Sequence, residues 1–596
     1  MKNKTDLIWI LLIVLISSTY VYFATIANID LTDGRFALFM DEKVTFDGVL
    51  KILYPKNIES FFYNLYNGND HRYGRSLWNS ISLFSFAPTY LFNVQGQIIS
   101  ARMLQVLLLI CSFLLLCLAF LKTWVYRFCL LLLLLTFPFT DYYSTMPKPE
   151  PLQLLFISLF LYSYNESGMQ FREKHWLFLG LALGTKISIL PFIVILAFWF
   201  LWAELKRYPI SLLFDKFIMA LGYFLAGLAL AVPILFPAFI ITILIYRTTL
   251  YLIKHKVILK SENLIWVKVI LLFLISTGTI FWSYLNYTLG GKSGIASWGG
   301  AIIMNANNAA DLPSINFITW LKYLIIKWIN LPFISTFFIG TTFMLFISVI
   351  TRKIILSIRK SIEMKFLFAG IIMLAGLLLC LSIMLSVHRL WGFYLFTGGI
   401  LFLSGFFSLI EQYFYLNNKL FNNSKIKLFT LTTLTISFCL LTISWVPNSI
   451  KNYRSLSTRT ITEQYKKNYE SYILTDSVIK YYSKNSKKKM TISIDPELFI
   501  PDNKSNKYTI VEFWGPFNWD STFDIVILGP SHLPGSISIK KESPLYKHFL
   551  KESLGYSRYV VGKDSGFQKS FCYERILRLP NDGEILILKQ PLMFKN

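Results

Sequence analysis

Apolar runs long enough to cross a bilayer recur along this chain of 596 residues. A spanning helix needs about 18 or more consecutive, mostly apolar residues. Leu7–Ala27, Ile98–Leu121, Leu264–Trp282, Leu367–Leu385 and Leu428–Trp445 meet that requirement. Two of these runs carry a single cation near one end, Arg102 and Lys268, where it can snorkel to the interface. The first run follows Met-Lys-Asn-Lys as a signal peptide would, but it is long enough to span and has no small-x-small cleavage site, so it reads as a retained anchor. The composition agrees, at 55% hydrophobic and 15% charged residues.

A net charge of +25 raises the question of nucleic acid. The cations answer it, because they are scattered over short connections between apolar runs, which is the positive-inside pattern. Lys122 and Arg127, Arg172 and Lys174, Lys206 and Arg207, and Arg352 to Lys365 all fall on one side, which is then the cytoplasm. This excludes nucleic acid as the partner, and leaves membrane lipids. Of the six cysteines, only Cys572 lies in the polar tail, so no disulfide framework is expected.

The expected fold is an all-α polytopic membrane bundle of about thirteen spans with a small C-terminal α/β soluble domain. The spans are placed at 7–28, 98–121, 125–140, 149–164, 175–185, 187–204, 217–234, 236–253, 264–285, 332–351, 366–387, 390–411 and 427–446. The stretch 175–204 is too long for one span and short for two, which suggests a broken helix. Residues 1–446 form the membrane domain and 447–596 the soluble one. The N-terminus is expected inside. The outer segment 29–97, the loop 286–331 and the tail are expected outside. The outer segment reads as short helices on the membrane surface, with an apolar piece, Trp78–Phe92, broken by Pro88. In the tail, Phe523–Leu528 and Glu584–Leu588 read as strands.

Five clusters could carry chemistry. Asp41 and Glu42 are adjacent carboxylates at the outer surface. Adjacent helical residues point about 100° apart, so one can face the interior as a general base while the other faces elsewhere. The plainer reading is a helix-start acid. Arg72 and Arg75, in His71-Arg72-Tyr73-Gly74-Arg75, suit phosphate, or else anchor to headgroups. Glu150 opens a helix behind Met146-Pro147-Lys148-Pro149. Lys186, after Gly184-Thr185, lies between apolar runs, where a cation costs roughly 2.5–3.5 kcal/mol unless it meets a partner or water. His388 and Arg389 sit between two apolar spans. Nearly all of these clusters fall at the outer membrane face.

This order of features resembles the GT-C glycosyltransferases that use polyprenyl-phosphate sugars, and within them the protein O-mannosyltransferase and aminoarabinose transferase group. The resemblance rests on the outer Asp41-Glu42 after the first span, on Ala87-Pro88-Thr89-Tyr90-Leu91-Phe92 with Ser100-Ala101-Arg102-Met103-Leu104, on Gly180-Leu181-Ala182-Leu183-Gly184-Thr185-Lys186 and on His388-Arg389-Leu390-Trp391. It covers roughly residues 7–205 well and the remainder in outline. The chain departs from the family where Tyr73-Gly74-Arg75-Ser76 replaces a Lys-Pro-Pro and where Glu150 stands for an Asp.

The resemblance implies transfer of a sugar from a polyprenyl-phosphate donor to a hydroxyl on a lipid, glycan or protein acceptor. The location it implies is the outer face of a bacterial cell membrane. Asp41 would be the base, and Glu42 and Glu150 would orient it or help hold a divalent ion. Arg72, Arg75, Lys186, His388 and Arg389 would bind the donor phosphate. The resemblance names no cofactor for certain, and a divalent metal stays open because carboxylates alone have no diagnostic spacing. A surface-polysaccharide polymerase or ligase is the alternative, and a transporter or flippase the third reading.

Overall fold

The computed structural model describes residues 40–66, 76–170, 172–205, 207–232, 317–358, 364–386, 392–416, 424–459, 465–495, 507–512, 523–529, 573–581 and 583–588, with a few isolated positions besides. The chain divides into two compact units. The first comprises Met1–Ala24, Gly48–Tyr90 and Ile99–Tyr453, and the second Thr25–Asp47, Leu91–Ile98 and Arg454–Asn596.

Helix α1 (Met40–Leu53) buries Thr45, Phe46, Val49 and Ile52, a helical spacing that makes one face. Helix α2 (Ile58–Tyr66) starts with a reciprocal cap. The Ser60 amide donates to Asn57 Oδ1 at 2.7 Å and the Asn57 amide to Ser60 Oγ at 3.0 Å. Helix α3 (Ser76–Phe120) runs without interruption through Pro88, where a break was expected. Proline removes one backbone donor, and helices in apolar surroundings tolerate that loss more readily than soluble ones.

Helices α4 (Trp124–Thr136), α5 (Thr140–Thr145) and α6 (Pro149–Glu166) follow. The start of α4 is held by a buried carboxylate distant in sequence. Glu411 accepts from the amide of Lys122 at 2.9 Å, the amide of Thr123 at 2.6 Å and the Thr123 hydroxyl. That satisfies helix-terminal donors with negative charge where the helix dipole favours it.

The stretch 175–204 is broken, as its length suggested. Helix α7 (Trp176–Thr185) stops at Lys186, whose backbone is extended (φ −158°, ψ 126°), and α8 (Leu190–Leu205) resumes after a short 3₁₀ turn. Helix α9 (Ile210–Ala231) lies against α7 at backbone contact. A Cβ on Gly180 would sit 1.9 Å from Phe224 O, and one on Gly227 would sit 2.0 Å from Leu177 O. Gly180-x-x-x-Gly184 is thus a small-residue seam that lets two helices touch.

Helices α10 (Phe317–Leu324), α11 (Phe333–Ile358), α12 (Met364–Ser386), α13 (Phe396–Glu411) and α14 (Ser424–Arg459) complete the first unit's described helices. A second glycine seam joins α12 and α13, where Gly376 and Gly405 each face partner backbone. Among the described residues, five stretches are long and apolar enough to cross a membrane: Gly96–Phe120, Ile187–Leu205, Met364–Leu385, Gly392–Phe414 and Leu428–Asn452. A sixth arises if Phe317–Ile329 and Phe333–Ser348, bent by 103°, count as one span. These coincide with the expected spans at 98–121, 187–204, 366–387, 390–411 and 427–446. Helix α4 is apolar but shorter, as is Lys216–Ala231 within α9. The expected spans 7–28, 236–253 and 264–285 lie outside the described residues, isolated positions apart.

The second unit contains α15 (Tyr465–Asn485) and a five-stranded sheet of order β2-β1-β3-β5-β4. Strands β1 (Met490–Ile494), β2 (Tyr508–Glu512) and β3 (Ile525–Leu528) are parallel. Strands β4 (Tyr573–Arg578) and β5 (Glu584–Leu588) form a hairpin that adds antiparallel to β3. Ile479 of α15 joins Ile492, Ile494, Ile525 and Ile527 in one core, and Ser471 Oγ accepts from the Asn581 amide at 3.1 Å. The two sequence-expected strands are β3 and β5.

Candidate functional site

Helix α6 begins where the sequence places a stop-and-start signal. Lys148 is extended (φ −128°, ψ 156°), Pro149 occupies the first turn, and Glu150 follows as its acid. The N-terminal dipole favours an ionised Glu150. Its side chain is nevertheless buried, so it needs a partner. Lys186 supplies it. Lys186 Nζ donates to Glu150 Oε1, and both side chains are less than a tenth exposed. The ammonium also lies 4.9 Å from the centre of the Tyr394 ring, a cation–π contact.

The glycine seam explains why Lys186 is there. With α7 pressed against α9, the helix ends at a fixed height, and its terminal residues are tied down. The Thr185 hydroxyl donates to Leu181 O at 2.8 Å, which commits its proton. The Ser76 hydroxyl, 2.9 Å from Thr185 Oγ1, is therefore the donor in that pair. Gln153, three residues after Glu150 on α6, donates its amide to Ala182 O at 3.0 Å and to Lys186 O. It bonds to the frayed end of α7.

Helix α5 brings two further groups. Phe139, just before it, holds a left-handed backbone (φ 71°), a conformation bulky residues rarely adopt. Tyr143 is fully buried and donates its hydroxyl proton to Phe393 O at 2.8 Å. Burial and the neighbouring Glu150 carboxylate push its phenol well above the usual range. The Tyr143 hydroxyl is also within hydrogen-bonding reach of the Glu150 carboxylate, whereas Gln153 Oε1 is a buried acceptor without a hydrogen-bond partner. A buried acceptor in that state costs about 1–3 kcal/mol. Asp141 is buried as well, and burial pushes its carboxyl up. Hydrogen bonds from the Tyr142 amide and the Asn452 side chain offset this only in part.

Of the sequence-predicted residues, the structure brings Glu150 and Lys186 together. Lys186, a cation between apolar runs that needs a partner or water, meets that partner within the chain. Asp41 and Glu42 lie on the backbone of α1, but their side chains are outside the described residues, as are Arg72, Arg75, His388 and Arg389. Sequence reasoning missed Tyr143, Gln153, Asp141 and Tyr394. Gln153 had a signal, since it follows Glu150 at helical spacing in an otherwise apolar helix. Asp141 had one in Asp141-Tyr142-Tyr143 between apolar runs. Among the described residues no group of three or more His, Cys, Asp or Glu could hold a metal ion.

Long apolar helices, a span broken beside a buried ion pair and a separate small sheet define a membrane-embedded helical protein with a C-terminal α/β unit. Neither a family model nor a curated protein matches the chain.

Proposed function

We propose that the chain is a membrane glycosyltransferase with a GT-C-like bundle of about thirteen spans. It moves a sugar from a polyprenyl-phosphate donor to a hydroxyl acceptor at the outer face. One observation carries this reading. Ser76, next in sequence to Arg75, is hydrogen-bonded to Thr185, next in sequence to Lys186. Tyr394, a few residues after Arg389, lies against Lys186 itself. These two contacts, between described neighbours of Arg75, Lys186 and Arg389, support a shared phosphate site.

In this mechanism Asp41 takes the proton of the acceptor hydroxyl, whose oxygen attacks the anomeric carbon. The bond from that carbon to the phosphate oxygen breaks, and polyprenyl phosphate leaves with the electron pair. A single displacement inverts the anomeric centre. Arg75, Arg389 and Lys186, helped by Arg72 and His388, offset the charge that develops on the leaving phosphate. Glu150 acts through Lys186, fixing where its ammonium stands. Glu42 orients Asp41.

The test is transfer by membranes containing the chain, using a panel of radiolabelled polyprenyl-phosphate sugars. Label should move to a lipid, glycan or protein fraction only when the chain is present. Absence of transfer across the panel overturns the reading. The broken span with its buried pair also suits a transporter, whose sites lie at discontinuous helices. Proteoliposomes that move a lipid-linked sugar across the bilayer without transferring it would favour that second reading.

A further inference from the structure

Helix α15 has two unlike faces. Asn468, Ser471, Thr475, Ile479 and Ser483 are buried, and Ile479 joins the core of the sheet. The opposite stripe is exposed. It runs through Lys466, Tyr469, Ile473, Ser477, Lys480 and Lys484, residues three or four apart that share one side of a helix. Tyr481 stands beside it. Tyr469 and Ile473 are each 43% exposed, and Tyr481 is 64% exposed. Lys467 is exposed on the same helix, as are Lys487, Lys488 and Lys489 in the turn to β1.

Carboxylates do not cancel this charge. Among the described residues Glu470 lies 3.9 Å from Lys466, Asp476 pairs with Lys480, and Asp524 pairs with Lys488 at 2.7 Å. Exposed pairs of this kind are weak and screened by salt. Lys467, Lys484, Lys487 and Lys489 leave the face positive beyond what three acids offset.

The chain holds this face close to the bilayer. The span Leu428–Asn452 lies in α14, α14 continues to Arg459, and Tyr465 opens α15. Helical rise and the reach of the short connection keep the start of α15 within roughly 30 Å of the span's end. Such a tether raises the effective concentration of the membrane surface for whatever follows it. The stripe also has the make-up of an interface. Ammonium groups meet anionic headgroups, aromatic rings sit at headgroup level, and an aliphatic side chain enters the acyl boundary. A soluble polyanion would use the lysines and gain little from Ile473.

We propose that this face of α15 rests on the membrane surface, with its lysines on anionic phospholipid headgroups and Tyr469, Ile473 and Tyr481 at the interface. The contact holds whatever reaction the membrane helices carry out.

The experiment places the full chain in lipid nanodiscs, one set of phosphatidylcholine alone and one with a third of phosphatidylglycerol. A water-soluble acylating reagent labels the lysines, and mass spectrometry reads each rate. Acylation consumes the neutral amine, which an anionic surface disfavours, so labelling at Lys466, Lys480 and Lys484 should slow roughly fivefold or more in the anionic discs. Lys507, exposed beside β2, should label alike in both and serves as the reference. Salt at about 1 M shortens the screening length to about 3 Å and should remove most of the difference. Ile473→Glu puts a carboxylate in the middle of the exposed stripe and should shrink the protection, with labelling at Lys507 unchanged. Equal labelling in the two discs, or a slowing that Lys507 shares, overturns the proposal. Protection by an added oligonucleotide or acidic polysaccharide in neutral discs, with none from phosphatidylglycerol, overturns it too and assigns the face to a soluble polyanion.

Discussion

The Ser76 hydroxyl donates to Thr185 Oγ1 at 2.9 Å, across 109 residues of sequence. It ties the start of the long helix α3 to the end of α7, beside Lys186. Arg75 immediately precedes this tie, so Arg75→Gln should weaken donor binding and spare the acceptor. A hydrogen bond to a charged group contributes about 1.5–3 kcal/mol, so the donor KM should rise roughly tenfold or more. The check is a steady-state KM for each substrate. An unchanged donor KM would remove Arg75 from the phosphate site.

Lys186 and Glu150 neutralise each other in a buried place. Removing one partner of such a pair costs about 3–5 kcal/mol, because the other charge is stranded. Lys186→Met should therefore lower the unfolding temperature in detergent sharply. The double variant Lys186→Met with Glu150→Leu should recover much of the loss. Additive losses would show that the two groups act separately.

Glycines in α9 should differ in tolerance. Gly227 faces Leu177 backbone, whereas a Cβ on Gly222 meets nothing within 4 Å. Gly227→Ala should push α7 and α9 apart, at a cost of about 1–3 kcal/mol. Gly222→Ala should be neutral or stabilising by up to about 1 kcal/mol, through helix propensity alone. Thermal unfolding of the two variants side by side checks this, and equal behaviour would argue against the seam.

Acid should loosen the sheet-bearing unit through Asp524. Burial alone would raise its carboxyl. The hydrogen bond from Lys488, at 2.7 Å, and those from the Thr491 amide and hydroxyl outweigh that and hold it below its ordinary 3.8. The folded state then binds the proton less readily than the unfolded one. The resulting stability is present above about 3.8 and is lost as pH falls through the lower, folded value. Hydrogen exchange at the Thr491 amide, followed from pH 6 downward, should accelerate in that window, and Asp524→Asn should remove most of the pH dependence.

Asp41→Asn should abolish transfer while leaving membrane level and folding unchanged. Loss of a general base typically costs about 10²–10⁴ in rate. Near-normal turnover in this variant would move the role to Glu42, Glu150 or the buried Asp141.

The spans were legible because membrane burial imposes a long, uninterrupted apolar run, and Ile98–Leu121 and Leu428–Trp445 announce themselves that way. Strands β3 and β5 were legible from short aliphatic runs between polar breaks. Pro88 misled because proline's helix-breaking rule is drawn from water-soluble helices, and α3 carries Pro88 inside a continuous helix. The break near 185 showed only as an awkward length, and its position depends on Gly180 and Gly227 meeting across two helices. The site was harder to read. Glu150 and Lys186 each stood out, yet their pairing is a tertiary fact 36 residues apart. Tyr143 and Tyr394 look like ordinary aromatics until α5 and the turn before α13 are brought together.

Strand β3 lies between β1, which precedes it in sequence, and β5, which follows it by more than fifty residues. All four of its residues, Ile525 to Leu528, are buried. During synthesis β3 therefore emerges long before the neighbour that covers its second edge. A nascent or prematurely terminated chain ending before Glu584 carries a bare aliphatic edge, the kind of surface that recruits other strands. The hairpin β4–β5 acts as a late clasp, so chains that stop between Leu528 and Glu584 should be insoluble even where every membrane span is intact.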